Sequence, residues 1–203
     1  MANKVRKRNW KDKKDYNEDV AKKLKEIFCI LGIDVSDENF AGTDRRVTQF
    51  WEDFTYAESP EGKEELKYLF TRKFQSKYSG MVISKKIVCY SLCPHHMSPI
   101  KYEIDFAYIP NEYVLGLSKV IDIIKLICLY PQLQEDLTDK IVELFEKELK
   151  CKGVMCVING QHSCMQVRDS EARETSTITS AVRGVFENQD TKDEFLKLIE
   201  NGK

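Results

Sequence analysis

The fold is decided by the stretch Ile100-Lys101-Tyr102-Glu103-Ile104-Asp105-Phe106-Ala107-Tyr108-Ile109. Its first seven residues alternate between apolar and charged side chains, and the apolar ones are Ile100, Tyr102, Ile104 and Phe106. Successive side chains of a strand point to opposite faces, so this pattern predicts a strand with one buried face. Pro110 and Asn111 follow directly and end it.

Working outward from this strand, β-branched and apolar runs predict further strands over 81–90, 153–158, 162–168 and 175–186. Apolar residues at helical spacing predict helices over 16–31, from Thr43 onward, and over 64–70, 119–129, 138–149 and 193–199. The stretch 57–67 contains Pro60 and Gly62 and is expected to be a loop running into the third helix. These elements predict an α+β chain with a largely antiparallel sheet and a helix pair over 76–203, preceded by a helical region over 1–75.

Composition limits the classes of function. The chain has 203 residues, of which 42% are hydrophobic and 32% charged, and its net charge is −1. No global basic field favours nucleic acid or a membrane surface, and the basic tip over 4–14 is typical of a solvated terminus. No apolar run approaches a membrane span and no export signal opens the chain, so we expect a cytoplasmic protein. Its seven cysteines are therefore expected to be thiols or metal ligands rather than disulfides.

The chemistry-bearing residues form two short clusters. The chain has only three histidines, and each lies close to a cysteine, in Cys93-Pro94-His95-His96 and in His162-Ser163-Cys164. Thiolate and imidazole are the preferred ligands of zinc, and a three-residue spacing lets one turn present Cys93 and His96 to one metal. Cys93, His96 and Cys164 make three ligands, which leaves the open position of a catalytic site. His95 and His162 then remain as candidates for proton transfer.

Two other interpretations of these clusters stay open at this point. The cysteines are also compatible with ordinary buried thiols beside structural histidines. An unrelated structural zinc module is a further alternative, and it requires a fourth protein ligand, for which Cys89 is the nearby spare.

Several motifs, in one order, make the chain resemble the GTP cyclohydrolase I family. The segment 91–99 resembles the family's zinc and catalytic segment S-x-C-E-H-H-x-x-P, and 162–168 resembles H-x-C-M-x-x-R. Between them, 108–110, 114–119 and 132–138 are similar to Y-x-P, V-x-G-L-S-K and Q-x-Q-E-R-L-T. Segments 43–47, 177–180, 184–186 and 194–196 also match, so the resemblance covers roughly 20–200.

The resemblance implies a function and a role for each matching residue. It implies zinc on Cys93, His96 and Cys164, which opens the purine imidazole ring of GTP to release formate and give 7,8-dihydroneopterin triphosphate for tetrahydrofolate or another pterin or deazapurine product. His95 and His162 would transfer protons, and Gln134 and Glu135 would hold the purine. Ser118, Lys119 and Arg168 would bind the triphosphate. It also implies a T-fold-like catalytic domain over 76–203 and a homodecamer with active sites between subunits.

The sequence departs from the family pattern at positions around the expected site. Pro94 stands in place of a usual glutamate, Tyr102 near a usual glycine, Asp122 and Asp136 in place of arginines, and Asp169 in place of a glycine. The acidic changes lie around the expected polyphosphate end, where Asp122 is expected to repel phosphate. Two alternatives therefore accompany GTP hydrolysis. One is the same chemistry on a different or less phosphorylated purine nucleotide, and the other is a catalytically silent binding or regulatory homologue.

Overall fold

The computed structural model describes residues 16–168 and 175–200. The basic tip, Asp169 and the nearby Arg173 lie outside these residues. The chain divides into two compact units, Met1–Asp53 and Phe54–Lys203. The sequence placed its boundary between residues 75 and 76, and that assignment of a catalytic domain stays a prediction.

The described part of the first unit contains two helices, α1 (Glu18–Ile30) and α2 (Thr43–Asp53). The Asn17 side chain accepts hydrogen bonds from the backbone N–H groups of Asp19 and Val20 and so caps α1. Gly32, with φ of +77°, follows the last turn, as the sequence predicted. Both N-terminal helices are confirmed.

The second unit begins with α3 (Pro60–Phe70), which is longer than predicted. The Ser59 side chain accepts a hydrogen bond from the Gly62 backbone N–H, and Pro60 occupies the first turn, where its missing N–H costs nothing. The prediction of a loop over 57–67 is therefore wrong from residue 60 onward. Pro60 and Gly62, taken as loop signals, are a helix start.

Four strands form the main sheet: β2 (Val82–Leu92), β3 (Pro99–Ile109), β5 (Gly153–His162) and β6 (Thr177–Gly184). Their order is β2-β3-β5-β6, and every neighbouring pair is antiparallel. Two short strands, β1 (Lys73–Gln75) and β4 (Tyr113–Leu115), pair separately. The predicted alternation in β3 is confirmed, since Ile100, Tyr102, Ile104 and Phe106 are fully buried.

A helix pair, α4 (Leu117–Ile127) and α5 (Gln134–Leu149), lies between β4 and β5 and covers one face of this sheet. α4 packs against β2, and α5 packs against β5 and β6. The core between sheet and helices includes Phe106 and Phe145, whose ring centroids are 4.3 Å apart. The sequence placed the start of α5 at Thr138, four residues too late, because the residue before the true start at Gln134 is the apolar Leu133, whose side chain makes no capping hydrogen bond.

The opposite face of the sheet is partly covered by α7 (Gln189–Glu200). Phe195 of α7 and Phe186 pack with Ala107 and Met155 from that face of β3 and β5. The architecture is thus the predicted T-fold-like unit, with an antiparallel sheet, a helix pair and preceding helices.

The segment 162–168 corrects one predicted strand. β5 runs four residues further than predicted, to His162, and a single helical turn, α6 (Ser163–Gln166), follows. The prediction of a strand over 162–168 is wrong, and the turn matters because it carries Cys164. Among the described residues, no helix has both the length and the apolar character needed to cross a membrane.

Candidate metal centre and active site

The first half of the site is the tight loop that joins β2 to β3. The Cys93 N–H donates to the carbonyl of Ser98, and the Met97 N–H donates to the carbonyl of Cys93, both at 2.8 Å. Met97 has a positive φ of 51°. Pro94 is the second residue of this turn, where its fixed φ favours the geometry. The departure from glutamate at this position therefore rigidifies the loop that presents Cys93 and His96.

Sheet register brings the second half of the site to this loop. His162 at the end of β5 pairs with Ile100 near the start of β3, directly after the loop. The Ser163 hydroxyl donates to the Pro99 carbonyl at 2.5 Å and ties α6 to the same strand. Cys164, one residue later, is thus placed beside Cys93.

The donor atoms of Cys93, His96 and Cys164 all lie within 4.8 Å of one another. The Cys93 Sγ is 3.7 Å from His96 Nδ1. A tetrahedral zinc with bonds of about 2.3 Å to sulfur and about 2.0 Å to nitrogen separates such a pair by about 3.5 Å. Two thiols and an imidazole at this spacing therefore fit zinc. Within the part of the chain that the structure describes, this donor group has three members and does not include Cys89, as a catalytic site requires.

The protonation of these ligands is set by their surroundings. Burial and the neighbouring Cys93 thiol raise the pKa of Cys164. The Arg168 guanidinium Nη1 is 2.8 Å from His96 Nε2, to which it donates. A metal on Nδ1 would leave the ring proton on Nε2, so Arg168 would have to release this contact.

His162 lies next to the candidate metal ligands, in a second, partly buried cluster. Its Nε2 is 2.9 Å from the Oε1 of Gln134, the first residue of α5. Burial lowers the pKa of His162, and the negative charge of Glu135 opposes this effect. Glu135 is exposed in the first turn of α5. The structure thus brings together three residues predicted separately as proton-transfer and purine-binding groups.

His95 occupies the same loop as two of the candidate metal ligands, Cys93 and His96. It is exposed, and its Nδ1 is 4.0 Å from the Cys93 Sγ. Both histidines predicted for proton transfer therefore lie beside the candidate metal centre.

The sequence interpretation missed the supports of this cluster. Thr138 and Thr179 contact each other through their hydroxyls at 2.6 Å and flank Gln134. Gly160 lies against the Gln134 amide, since a Cβ built there would be 2.1 Å from Oε1. Tyr102 packs its ring edge-on against His162, with centroids 6.3 Å apart. No single-residue signal marks these positions, because each acts through a contact between distant segments.

Of the residues predicted to bind the triphosphate, Lys119 already has an acidic partner. Ser118 and Lys119 lie in the first turn of α4. The Lys119 ammonium forms an ion pair with the Asp122 carboxylate one turn later. Asp122, predicted only as a repulsive charge toward phosphate, is thus also the partner of Lys119. Asp136 is exposed in the first turn of α5.

Comparison with known proteins decides the family. The sequence model of GTP cyclohydrolase I matches residues 20–200. The chain belongs to the GTP cyclohydrolase I family. It is 39% identical over 170 residues to GTP cyclohydrolase 1 of Hydrogenobaculum sp. (strain Y04AAS1), covering 83% of this chain and 90% of that one. It is 38% identical over 172 residues to GTP cyclohydrolase 1 of Aquifex aeolicus (strain VF5), covering 83% and 89%.

A third relative, GTP cyclohydrolase 1 of Bacteroides thetaiotaomicron, is 37% identical over 177 residues and covers 87% of this chain and 89% of its own. These relatives make the chain a hydrolase of the GTP cyclohydrolase I type. The departures at Pro94, Tyr102 and Asp122 therefore lie within the stretch 20–200 that matches the family.

Proposed function

We propose that this GTP cyclohydrolase I family member opens the imidazole ring of GTP with zinc, releases formate and yields 7,8-dihydroneopterin triphosphate. The observation that carries the proposal is the convergence of Cys93, His96 and Cys164 within 4.8 Å, from a loop and a helical turn far apart in sequence. Bound there, zinc supplies Lewis-acid activation of water near neutral pH.

His162 is the proposed proton carrier nearest the metal ligands. Because burial lowers its pKa, the ring is neutral at neutral pH and can accept a proton. Its Nε2 lies 2.9 Å from the Gln134 Oε1, so the ring has a neighbour that can hold its orientation. His95, exposed on the metal-binding loop, supplies a second titratable group for the sugar and ring steps.

Glu135 is the proposed purine anchor. A carboxylate accepts two N–H bonds at once, which suits the amino edge of guanine. Its position in the first turn of α5, adjacent to the residue that contacts His162, supports this role, because a purine held there would lie near the proposed proton carrier.

Ser118, Lys119 and Arg168 are the proposed contacts of the triphosphate. The first two lie at the N-terminal turn of α4, where free N–H groups favour an anion. One observation supports a second candidate substrate, a less phosphorylated purine nucleotide: the Lys119 ammonium is already paired with the Asp122 carboxylate.

We further propose a homo-oligomer, a decamer by family resemblance, in which neighbouring subunits complete the active site. The edge strands β2 and β6 of the sheet support it, because open edges are surfaces for strand pairing. The exposed apolar residues Ile27, Ile30 and Leu31 of the first unit also support an association surface. The corresponding cellular role is pterin synthesis of the tetrahydrofolate type in the cytoplasm.

The experiment that tests the proposed activity measures formate and oxidised, fluorescent pterin after incubation of zinc-loaded protein with GTP. We expect both products in equal amounts, and their loss in Cys164→Ala, which removes a ligand. Cys151→Ala is the matched control, since Cys151 lies outside the three-member donor group. Formate without pterin would contradict the proposed product, and neither product from any purine nucleotide would contradict the enzyme.

A further inference from the structure

Gln134 is held in the core by contacts that fix which end of its amide faces His162. Its side chain is buried, with 3% of the residue exposed. The amide nitrogen lies 2.9 Å from the carbonyl oxygen of Thr177 and 3.1 Å from that of Ile158. Carbonyl oxygens only accept hydrogen bonds, so the amide NH₂ must point to these two strands and the amide oxygen to His162.

The orientation of the amide dictates the tautomer of His162. An amide oxygen is an acceptor only, so the His162 Nε2, 2.9 Å away, must carry the hydrogen. In the neutral ring the Nδ1 atom is then the acceptor. One side chain from the helix start thus defines which face of the imidazole is basic.

The backbone around Gln134 is shaped to leave room for this contact. Gly160 pairs with Tyr102 in the sheet and has no Cβ; an added one would lie 2.1 Å from the Gln134 oxygen. The Thr179 hydroxyl also lies 3.1 Å from the amide nitrogen. A side chain with this many partners inside the protein has little hydrogen-bonding capacity left for a purine.

From these contacts we infer that Gln134 is a positioning residue that orients His162 and sets its tautomer, rather than a contact of the purine base. The inference rests on the proposed function only in giving His162 the proton-transfer role. It replaces the purine-binding role that family resemblance implied for Gln134 and leaves Glu135 as the purine anchor. Hydrogen-bond partners behind metal-ligating histidines typically change activity about 10–100-fold, and we expect an effect of the same size for the partner of His162.

The first test reads the tautomer directly in the unaltered, zinc-loaded protein. Solid-state ¹⁵N NMR of histidine-labelled protein at pH 8 suits a chain with three histidines, and His162→Asn assigns the signal. We expect a protonated Nε2 and an unprotonated Nδ1 on His162. A protonated Nδ1 overturns the inference, whether or not the protein turns over GTP and whether or not any variant folds.

The second test separates orientation from purine binding. In Gln134→Met, which keeps the side-chain length but removes the amide, we expect kcat for formate release to fall about 10–100-fold and KM for GTP to change by less than about threefold. The His162 ¹⁵N signal should also lose its single tautomer. Gln132→Met is the matched control, since the Gln132 amide donates to Ile127 and Tyr130, and it should leave both readouts unchanged.

The opposite kinetic pattern overturns the inference. A KM raised tenfold or more with kcat unchanged would show that Gln134 binds the purine. An unchanged ¹⁵N spectrum in folded Gln134→Met would show that the amide does not set the tautomer. Absence of activity in the unaltered protein, together with the expected tautomer, would count against the proposed function and not against this inference.

Discussion

At the scale of single residues, Tyr102 is the departure with the clearest physical consequence. The residue is fully buried, and its hydroxyl has no hydrogen-bond partner among the residues that the structure describes. Burial, together with the charges of Cys128, Cys93 and Glu135, raises the pKa of Tyr102 well above its ordinary value. The phenol is therefore neutral, and its hydroxyl costs folding free energy while its ring supports His162.

Replacement of this hydroxyl is predicted not to destabilise the protein. Tyr102→Phe should leave the free energy of unfolding in urea unchanged or raise it by up to about 2 kcal/mol, because a buried unsatisfied polar group is removed. The control is Tyr108→Phe on the same strand, where the lost hydroxyl accepts the Leu115 N–H at 3.1 Å. That change should cost about 1–3 kcal/mol. A comparable loss in Tyr102→Phe would show that the hydroxyl has a partner.

Asp122 is the residue expected to tune the number of phosphates. Asp122→Asn frees the Lys119 ammonium from its ion pair and removes a negative charge, so KM for GTP should fall about two- to fivefold. The KM for guanosine, which lacks phosphate, should stay unchanged. Steady-state kinetics on both substrates checks this. An equal change in KM for both substrates, or no change for GTP, would show that Asp122 does not affect phosphate binding.

The sequence identified the candidate metal ligands but not the contacts behind them. Cys93, His96 and Cys164 were found because their residue types and spacing are rare. The Lys119–Asp122 pair has the three-residue separation of neighbours on a helix and was within reach of sequence reasoning. The contact between Gln134 and His162 was not, because it joins a helix start to a strand end 28 residues away.

At the scale of elements, the ends of β5 and β6 position the site. The alternation in β3 was sufficient to predict its buried face, whereas the helical turn after His162 was mistaken for strand. Ser163 explains the difference, since its hydroxyl bonds the Pro99 carbonyl at the point where the strand pairing stops. Such tertiary hydrogen bonds override local propensity and are not visible in a single segment.

Gly184, at the end of β6, is predicted to be essential for this sheet. Its φ is +63°, and an added Cβ would lie 2.3 Å from the Lys152 carbonyl oxygen. Gly184→Ala should therefore lower the free energy of unfolding by about 2–4 kcal/mol, measured by urea denaturation. Gly116→Ala is the control, because its nearest contact would be 3.5 Å and its φ is not positive, and it should change stability by less than about 1 kcal/mol. Equal effects would contradict the steric argument.

At the scale of the whole molecule, the order of the strands in the sheet brings the two cysteine- and histidine-containing segments together. The pairing of β3 with both β2 and β5 brings the loop at 93–98 to α6, and α5 then closes over β5 and β6. The sequence predicted this class of architecture, because an antiparallel sheet with a helix pair follows from the order of elements. It did not determine the register that sets Cys164 beside Cys93.

Zinc binding is predicted to weaken as the pH falls. The raised pKa of Cys164 means that its proton must leave when the metal binds, so protons compete with zinc at neutral pH. The apparent association constant should fall up to about tenfold per pH unit for each thiol proton displaced. Competition for zinc with a chromophoric chelator, from about pH 6.5 to about pH 8.5, measures this association constant. The slope of the logarithm of this constant against pH should decrease by about one in Cys164→Ala. A zinc association constant that does not depend on pH would contradict the assignment of Cys164 as a ligand.

In the proposed reaction, the C8 carbon of GTP leaves as formate at the centre formed by Cys93, His96 and Cys164. Its most direct test follows [8-¹³C]GTP by ¹³C NMR in the presence of protein stripped of metal and then reloaded with zinc. We expect labelled formate only after reloading, in equal amount to the pterin formed. Zinc-loaded, folded protein that leaves the label in GTP, or stripped protein that releases it equally fast, would contradict the account.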